Sequence, residues 1–285
     1  MKQKSILQNA VMLCLVSFVC GSCGQDKLPD PLPMEYADIK IKALWPQDAA
    51  QLPSTYIVRV NGVEQDATGN EMTLNVPASS NYNICLYNPA EGISINGNSA
   101  VLNSTTSTRA GNDAYTATPG DFFSGGVTLA ALSNPEEAVN IEIAKRTHQV
   151  KMTLSIENGS VVAASSLINN IAFQIDLITG EAQSYSQVTA SFQVTAQGDG
   201  KQQISAQMQL FGINPEQPQT MELHLQNEDG TTSIVKSDIT ESLSNIENVT
   251  DQPLEITGKI DIQSMEGTII NWGTEDGGDL PIHKN

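Results

Sequence analysis

The chain has 285 residues, of which 39% are hydrophobic and only 5% aromatic. That is enough apolar material for two ordinary domains or one large sandwich, with cores of Ile, Val, Leu and Met rather than a large aromatic-lined groove. Acidic residues outnumber basic ones by 32 to 14, and a formal charge of −18 repels phosphate backbones, which argues against nucleic-acid binding.

The N-terminus reads as an export signal in three parts. Lys2 and Lys4 supply the positive start, residues 10–19 (AVMLCLVSFV) form an apolar stretch too short to span a bilayer, and Cys20-Gly21-Ser22 place small residues before Cys23. A lipoprotein signal peptidase needs small residues in its cleft and a thiol at the new N-terminus. The segment therefore resembles a lipobox, with Cys20 standing where Leu or Val is usual. The expectation is a signal peptide over 1–22 and acyl chains (palmitate among them) on Cys23; the alternative is a plain secretory signal. Removing Lys2 and Lys4 leaves 12 basic against 32 acidic residues, or −20. Residues 23–35 then form a tether, polar and proline-rich over 24–33 (GQDKLPDPLP). Three acyl chains anchor a protein stably, since two lipid signals already suffice.

From residue 36 the pattern becomes short runs of period two between turn residues. Tyr56, Val58 and Val60 alternate and lead into Asn61-Gly62, the strongest short hairpin signal. Met72/Leu74/Val76 and Tyr82/Ile84/Leu86 follow, then a polar loop over 103–113, then Val139/Ile141/Ile143. A basic patch (Lys145, Arg146, His148) precedes Val150/Met152/Leu154/Ile156. The patch marks a boundary between an N-terminal β-sandwich over 36–146 and a C-terminal one over 147–285. Ile171/Phe173/Ile175/Leu177 form the next strand. Two hairpins turn at Gly198-Asp199-Gly200 and at residues 227–230 (NEDG), and Leu254/Ile256, Ile260/Ile262 and Ile269-Ile270 complete the set. One-sided alternation gives each strand a wet and a dry face, as antiparallel sheets in a sandwich require. Helix is expected only at 239–246, with Asp238 as N-cap. The fold class is all-β.

Catalytic signatures are missing. His148, His224 and His283 share no ligand spacing, and His224 between Leu223 and Leu225 is expected on the outer face of a strand. Asp199 and Asp229 read as turn residues rather than calcium ligands. Cys14 and Cys20 leave with the signal, so Cys85 is expected as a small buried residue without a disulfide partner. The expectations are no enzyme, no cofactor, no metal, and Cys23 as the single site residue.

Several segments resemble the fimbrillin-like superfamily of the Bacteroidota, which includes shaft, tip and anchor subunits of type V pili. Residues 115–127 (YTATPGDFFSGGV) are similar to the stretch before that family's domain junction, and 141–156 (IEIAKRTHQVKMTLSI) to the junction itself. Residues 248–252 (NVTDQ) and 269–272 (IINW) are similar to its closing motifs. The resemblance implies two transthyretin-like antiparallel sandwiches in tandem, an outer-membrane, surface-exposed or fimbrial location, and partner pilus subunits joined by strand complementation. In such pili a strand lost after an Arg or Lys opens a groove for a neighbour's strand. Here the tether offers only Lys27, and the first Arg is Arg59 inside an expected strand. Shaft, tip and anchor positions all stay open. The alternative is a glycan-binding surface lipoprotein of a polysaccharide-uptake system, which needs exposed aromatics; Trp45 near Pro46 is its best candidate.

Overall fold

The computed structural model describes residues 35–47, 51–78, 81–105, 114–129, 138–198, 200–248, 252–262 and 266–271, the side chains of 105 and 266–271 excepted. In chain order the strands are β1 (Tyr36–Leu44), β2 (Tyr56–Val60), β3 (Val63–Ala67), β4 (Glu71–Pro77) and β5 (Tyr82–Tyr87). Then come β6 (Ile93–Asn96), β7 (Ser99–Leu102), β8 (Ser104–Thr105), β9 (Ala114–Thr116), β10 (Phe123–Leu129), β11 (Val139–Glu142) and β12 (Ala144–Lys145). The second half holds β13 (His148–Glu157), β14 (Val161–Asp176), β15 (Ala182–Ala196), β16 (Gln202–Leu210), β17 (Thr220–Asn227) and β18 (Thr232–Asp238). After a helical turn, α1 (Thr240–Leu243), and a 3-10 turn (Ile246–Asn248), β19 (Leu254–Asp261) and β20 (Glu266–Asn271) follow. The described residues from Ala37 onward form one compact unit.

Two small sheets face each other in the first region. One has the order β11-β1-β4, with β1 and β11 parallel and Ile41 opposite Val139. The other has the order β12-β10-β5-β2-β3. The alternating residues Ile39, Ile41, Val58, Val60, Leu74, Val76, Ile84, Leu86 and Ile141 bury their side chains between the sheets. The β2–β3 hairpin turns at Asn61 (φ 50°) and Gly62 (φ 87°), the two positive values that a type I′ turn demands.

A larger sheet of order β18-β17-β14-β15-β16-β13-β19-β20 makes the second region. Its long strands bend. β14 shifts register between Ile168 and Ile171, where Asn170 adopts φ 60° and its Nδ2 donates to the Pro218 carbonyl at 2.7 Å. The bend lets Val150, Met152, Leu154, Ile168, Ile175, Val188, Leu210, Leu223 and Ile256 close on a second core.

The two cores do not divide at residue 146. β7 pairs with β14 (Val101 opposite Gln174) and β9 runs parallel to β15 (Tyr115 opposite Val188), so Ala100, Leu102, Ala117 and Phe122 are buried in the second core. β5 is buried on both sides: Ile84 and Leu86 point into the first core, Cys85 and Tyr87 into the second. Opposite Cys85, Gly126 has no side chain because Ile178 Cγ1 would lie 2.8 Å from its Cβ, and the Ile84 carbonyl still closer. Arg146 spans the seam. Its Nε donates to Ser124 Oγ and its Nη2 to the Ile178 carbonyl, both at 3.2 Å, with the guanidinium against the Cα of Gly180.

Candidate functional site

Among the described residues no cluster of three or more His, Cys, Asp or Glu is placed to hold a metal ion, and no helix is long and apolar enough to cross a membrane. His224 lies on the outer side of β17, half-buried, its Nε2 3.9 Å from Glu222 Oε2. Cys85 is a buried free thiol. Burial pushes its pKa up to about 11 against the lowering pull of Arg59, so almost no thiolate exists at neutral pH. Asp229 accepts bonds from the Thr231 amide (2.9 Å) and hydroxyl (2.6 Å), which hold its carboxyl below the usual range in a plain turn. At α1 the N-cap position is Ile239, not Asp238. The Asp238 carboxylate still accepts the Thr240 amide at 2.9 Å, so the residue acts one position earlier than expected. Cys23, Lys27, Asp199, Trp272, His283, residues 249–251 and the rest of the C-terminal tail lie outside the described residues.

What the first region does present is a strand seat. β1 is the first described strand and occupies the middle of its sheet, with Ile39 and Ile41 each 1% exposed. The Ala43 amide donates to the Asn70 carbonyl at 2.8 Å, and the Leu44 carbonyl accepts the Ile143 amide at 2.9 Å. On the outer face Asn75 Nδ2 donates to Asp38 Oδ1 (2.6 Å) and Lys42 pairs with Glu71 (3.3 Å). Such a seat offers backbone donors and acceptors along both sides and apolar sockets at alternate positions. The run at the other end of the chain is already paired: β20 lies antiparallel to β19, with Ile269 opposite Gly258.

Two further features were not foreseen from sequence. An open cleft of about 420 Å³ is lined by residues 51–55, Asn88, Pro89, Asp121 and Phe123. Two of its polar residues are engaged: Asn88 Oδ1 accepts the Phe123 amide at 2.7 Å and Asp121 pairs with Lys145 at 2.9 Å. In the crease below β2, Tyr87 donates to Glu64 Oε1 (2.8 Å) and Arg59 to Asn98 Oδ1 (3.2 Å). Burial and then the Glu64 contact push the Tyr87 phenol upward. Trp45, the candidate aromatic of the glycan-binding alternative, is half-buried and packs edge-on against Tyr56 (5.3 Å) and Phe123 (6.1 Å).

No family model matches the chain, and no curated protein matches it in sequence. Solved structures do match. A candidate adhesin of Bacteroides ovatus superposes with a TM-score of 0.59 at 17% identity, over 82% of this chain and 93% of the other. The chain has the fold of this Bacteroides adhesin candidate. A second candidate adhesin from Bacteroides ovatus gives 0.50 at 7% identity, over 81% and 90%. A candidate polysaccharide-binding protein of Bacteroides thetaiotaomicron gives 0.50 at 8% identity, over 79% and 92%. At these identities the likeness is one of fold, and that fold agrees with the fimbrillin-like resemblance carried by the junction and closing motifs.

Proposed function

We propose that the chain is a lipoprotein held on the outer membrane through Cys23, displaying a non-catalytic body that serves adhesion as a pilus subunit or anchor. The observation that carries this reading is the near-complete superposition on a Bacteroides adhesin candidate, extending over 93% of that protein. The central seat of β1 supports it, because a strand entering from the tether is the element whose removal would open a groove for a neighbour. In this reading the two cores correspond to two transthyretin-like sandwiches, with β7 and β9 contributed to the second.

The test is size analysis, without boiling, of surface material from cells making the native protein or a Cys23→Ala variant. A heat-labile ladder that is cell-bound only with Cys23 is expected. A single band that stays monomeric, with or without Cys23, would overturn the pilus role.

Glycan binding is the second reading, favoured by the fold shared with the candidate polysaccharide-binding protein. Against it, the described exposed rings, Tyr36 (58%) and Tyr185 (37%), make no ring contact with each other, and Tyr115 stacks on Phe173 at 4.3 Å with both half-buried.

A further inference from the structure

Surplus negative charge is unevenly placed on this protein. Among the described residues it gathers in turns, at strand ends and on the edge strand β3: Glu64, Asp66, Glu216, Glu228, Asp229 and Glu241. The outer face of the sheet formed by the end of β15 with β16, β13 and β19 is different. One row across it reads Gln193, Ser205, Thr153, Thr257 by register. The next reads Thr195, Gln203, Ser155, Lys259. Lysines here are matched, Lys151 by Glu255 at 3.1 Å and Lys259 by Glu157 at 3.3 Å. Asp261 closes the strand end against Asn158 Nδ2 at 3.0 Å. The inner face of the same strands is closed core, with Leu154, Ile204 and Ile256 all fully buried.

We infer that this flat hydroxyl-and-amide face is where a second copy of the chain packs, sheet against sheet. Three physical points favour a copy over another occupant. Two bodies of charge −20 repel through most of their surfaces, and contact becomes affordable only where the local charge nearly cancels. β13, β16 and β19, of ten, nine and eight residues, with the end of β15 from Gln193 to Ala196, offer roughly 500 Å² per copy at about 3.4 Å per residue and about 4.8 Å between strands. Twice that area, about 1,000 Å², is the lower limit for a specific but weak interface, which anchoring on a shared membrane would concentrate. A two-fold pairing would set this face of amides and hydroxyls, each able to donate and accept, against itself. The described part of the face has no aromatic ring for a sugar to stack on. This packing uses a sheet face rather than a strand edge, so it stands or falls separately from the pilus reading.

The experiment is sedimentation equilibrium of the mature chain carrying Cys23→Ser, at low and high salt, beside Thr153→Glu/Ser205→Glu. A control, Gln65→Glu/Gln226→Glu, adds the same charge at exposed positions elsewhere. Expected is a weak dimer that tightens with salt as repulsion is screened. The face variant should weaken it on the order of tenfold while the control leaves it unchanged. Circular dichroism checks folding, and Gln193→Glu/Gln207→Glu, both exposed, replaces the first pair if that pair misfolds. A monomer at every concentration and salt, or equal weakening in the control, overturns the inference. A monomer that binds a neutral polysaccharide, and loses it in the face variant, overturns it too and gives the face to a glycan.

Discussion

The two cores are closed in different ways. In the first, the strand at the centre of the smaller sheet, β1, comes from one end of the region and its parallel neighbour, β11, from the other. In the second, apart from the parallel β13–β19 and β9–β15 pairs, strands are mostly joined as hairpins or antiparallel neighbours, such as β14–β15, β15–β16 and β17–β18. A core closed by a distant terminal strand pays its loop-closure entropy late and opens when that strand leaves, whereas hairpins hold one another locally. The first region is thus the easier to open, and the second is held by local pairing.

Substitutions can break that comparison. Gly126→Ala puts a methyl between Ile84 and Ile178, in both regions at once. It should cost about 3 kcal/mol or more, lowering the urea midpoint of both regions together. Ile41→Ala empties a fully buried socket under β1 and should cost about 3 kcal/mol. Its signature is local. In a Trp272→Phe background, Trp45 fluorescence should change at lower urea than the far-ultraviolet dichroism, and coincident curves would refute separate weakness of the first region.

Arg146→Met removes the seam's charged hydrogen bonds, at about 2 kcal/mol. Here the two probes should separate with little change in the second midpoint. Gly62→Ala forces a side chain onto φ 87° and should cost about 1 kcal/mol, read as faster amide exchange confined to β2 and β3. Smallest is Lys236→Met. Lys236 donates to Glu222 at 2.6 Å and holds its carboxyl below the usual range. A folded value below the unfolded one stabilises above the unfolded value, and the gain is lost as pH falls through the folded one. For this largely solvated pair the effect is about 0.3 kcal/mol. In the variant, the Glu222 carbon resonance should titrate at higher pH.

Much of the strand content was legible because half-buried strands alternate: Tyr56/Val58/Val60, Met152/Leu154/Ile156 and Ile204/Ala206/Met208 all place their apolar sides as their period dictates. Misses fell where that logic fails. β5 was legible as a strand from Tyr82/Ile84/Leu86, but not its second buried side, because Cys85 and Tyr87 carry no alternation signal. β6, β7 and the first half of β14 are short of large apolar residues, and pairing partners rather than composition make them strands. Trp45 next to a proline is the candidate aromatic of the glycan-binding alternative, yet Tyr56 and Phe123 arrive from distant strands to cover its edge.

By itself the sequence determined the all-β class, the turns at Asn61-Gly62 and Asp229-Gly230, and the alternation of apolar and polar residues along β13 and β16. Each follows from neighbours within a few residues: period, φ preference and side-chain polarity. Only tertiary structure decided that β1 is the middle strand of its sheet, that strands 93–116 join the second core, and that Gly126, Arg146 and Gly180 form one seam. Those facts depend on which distant surfaces meet, and burial free energy is a property of the meeting rather than of either segment alone.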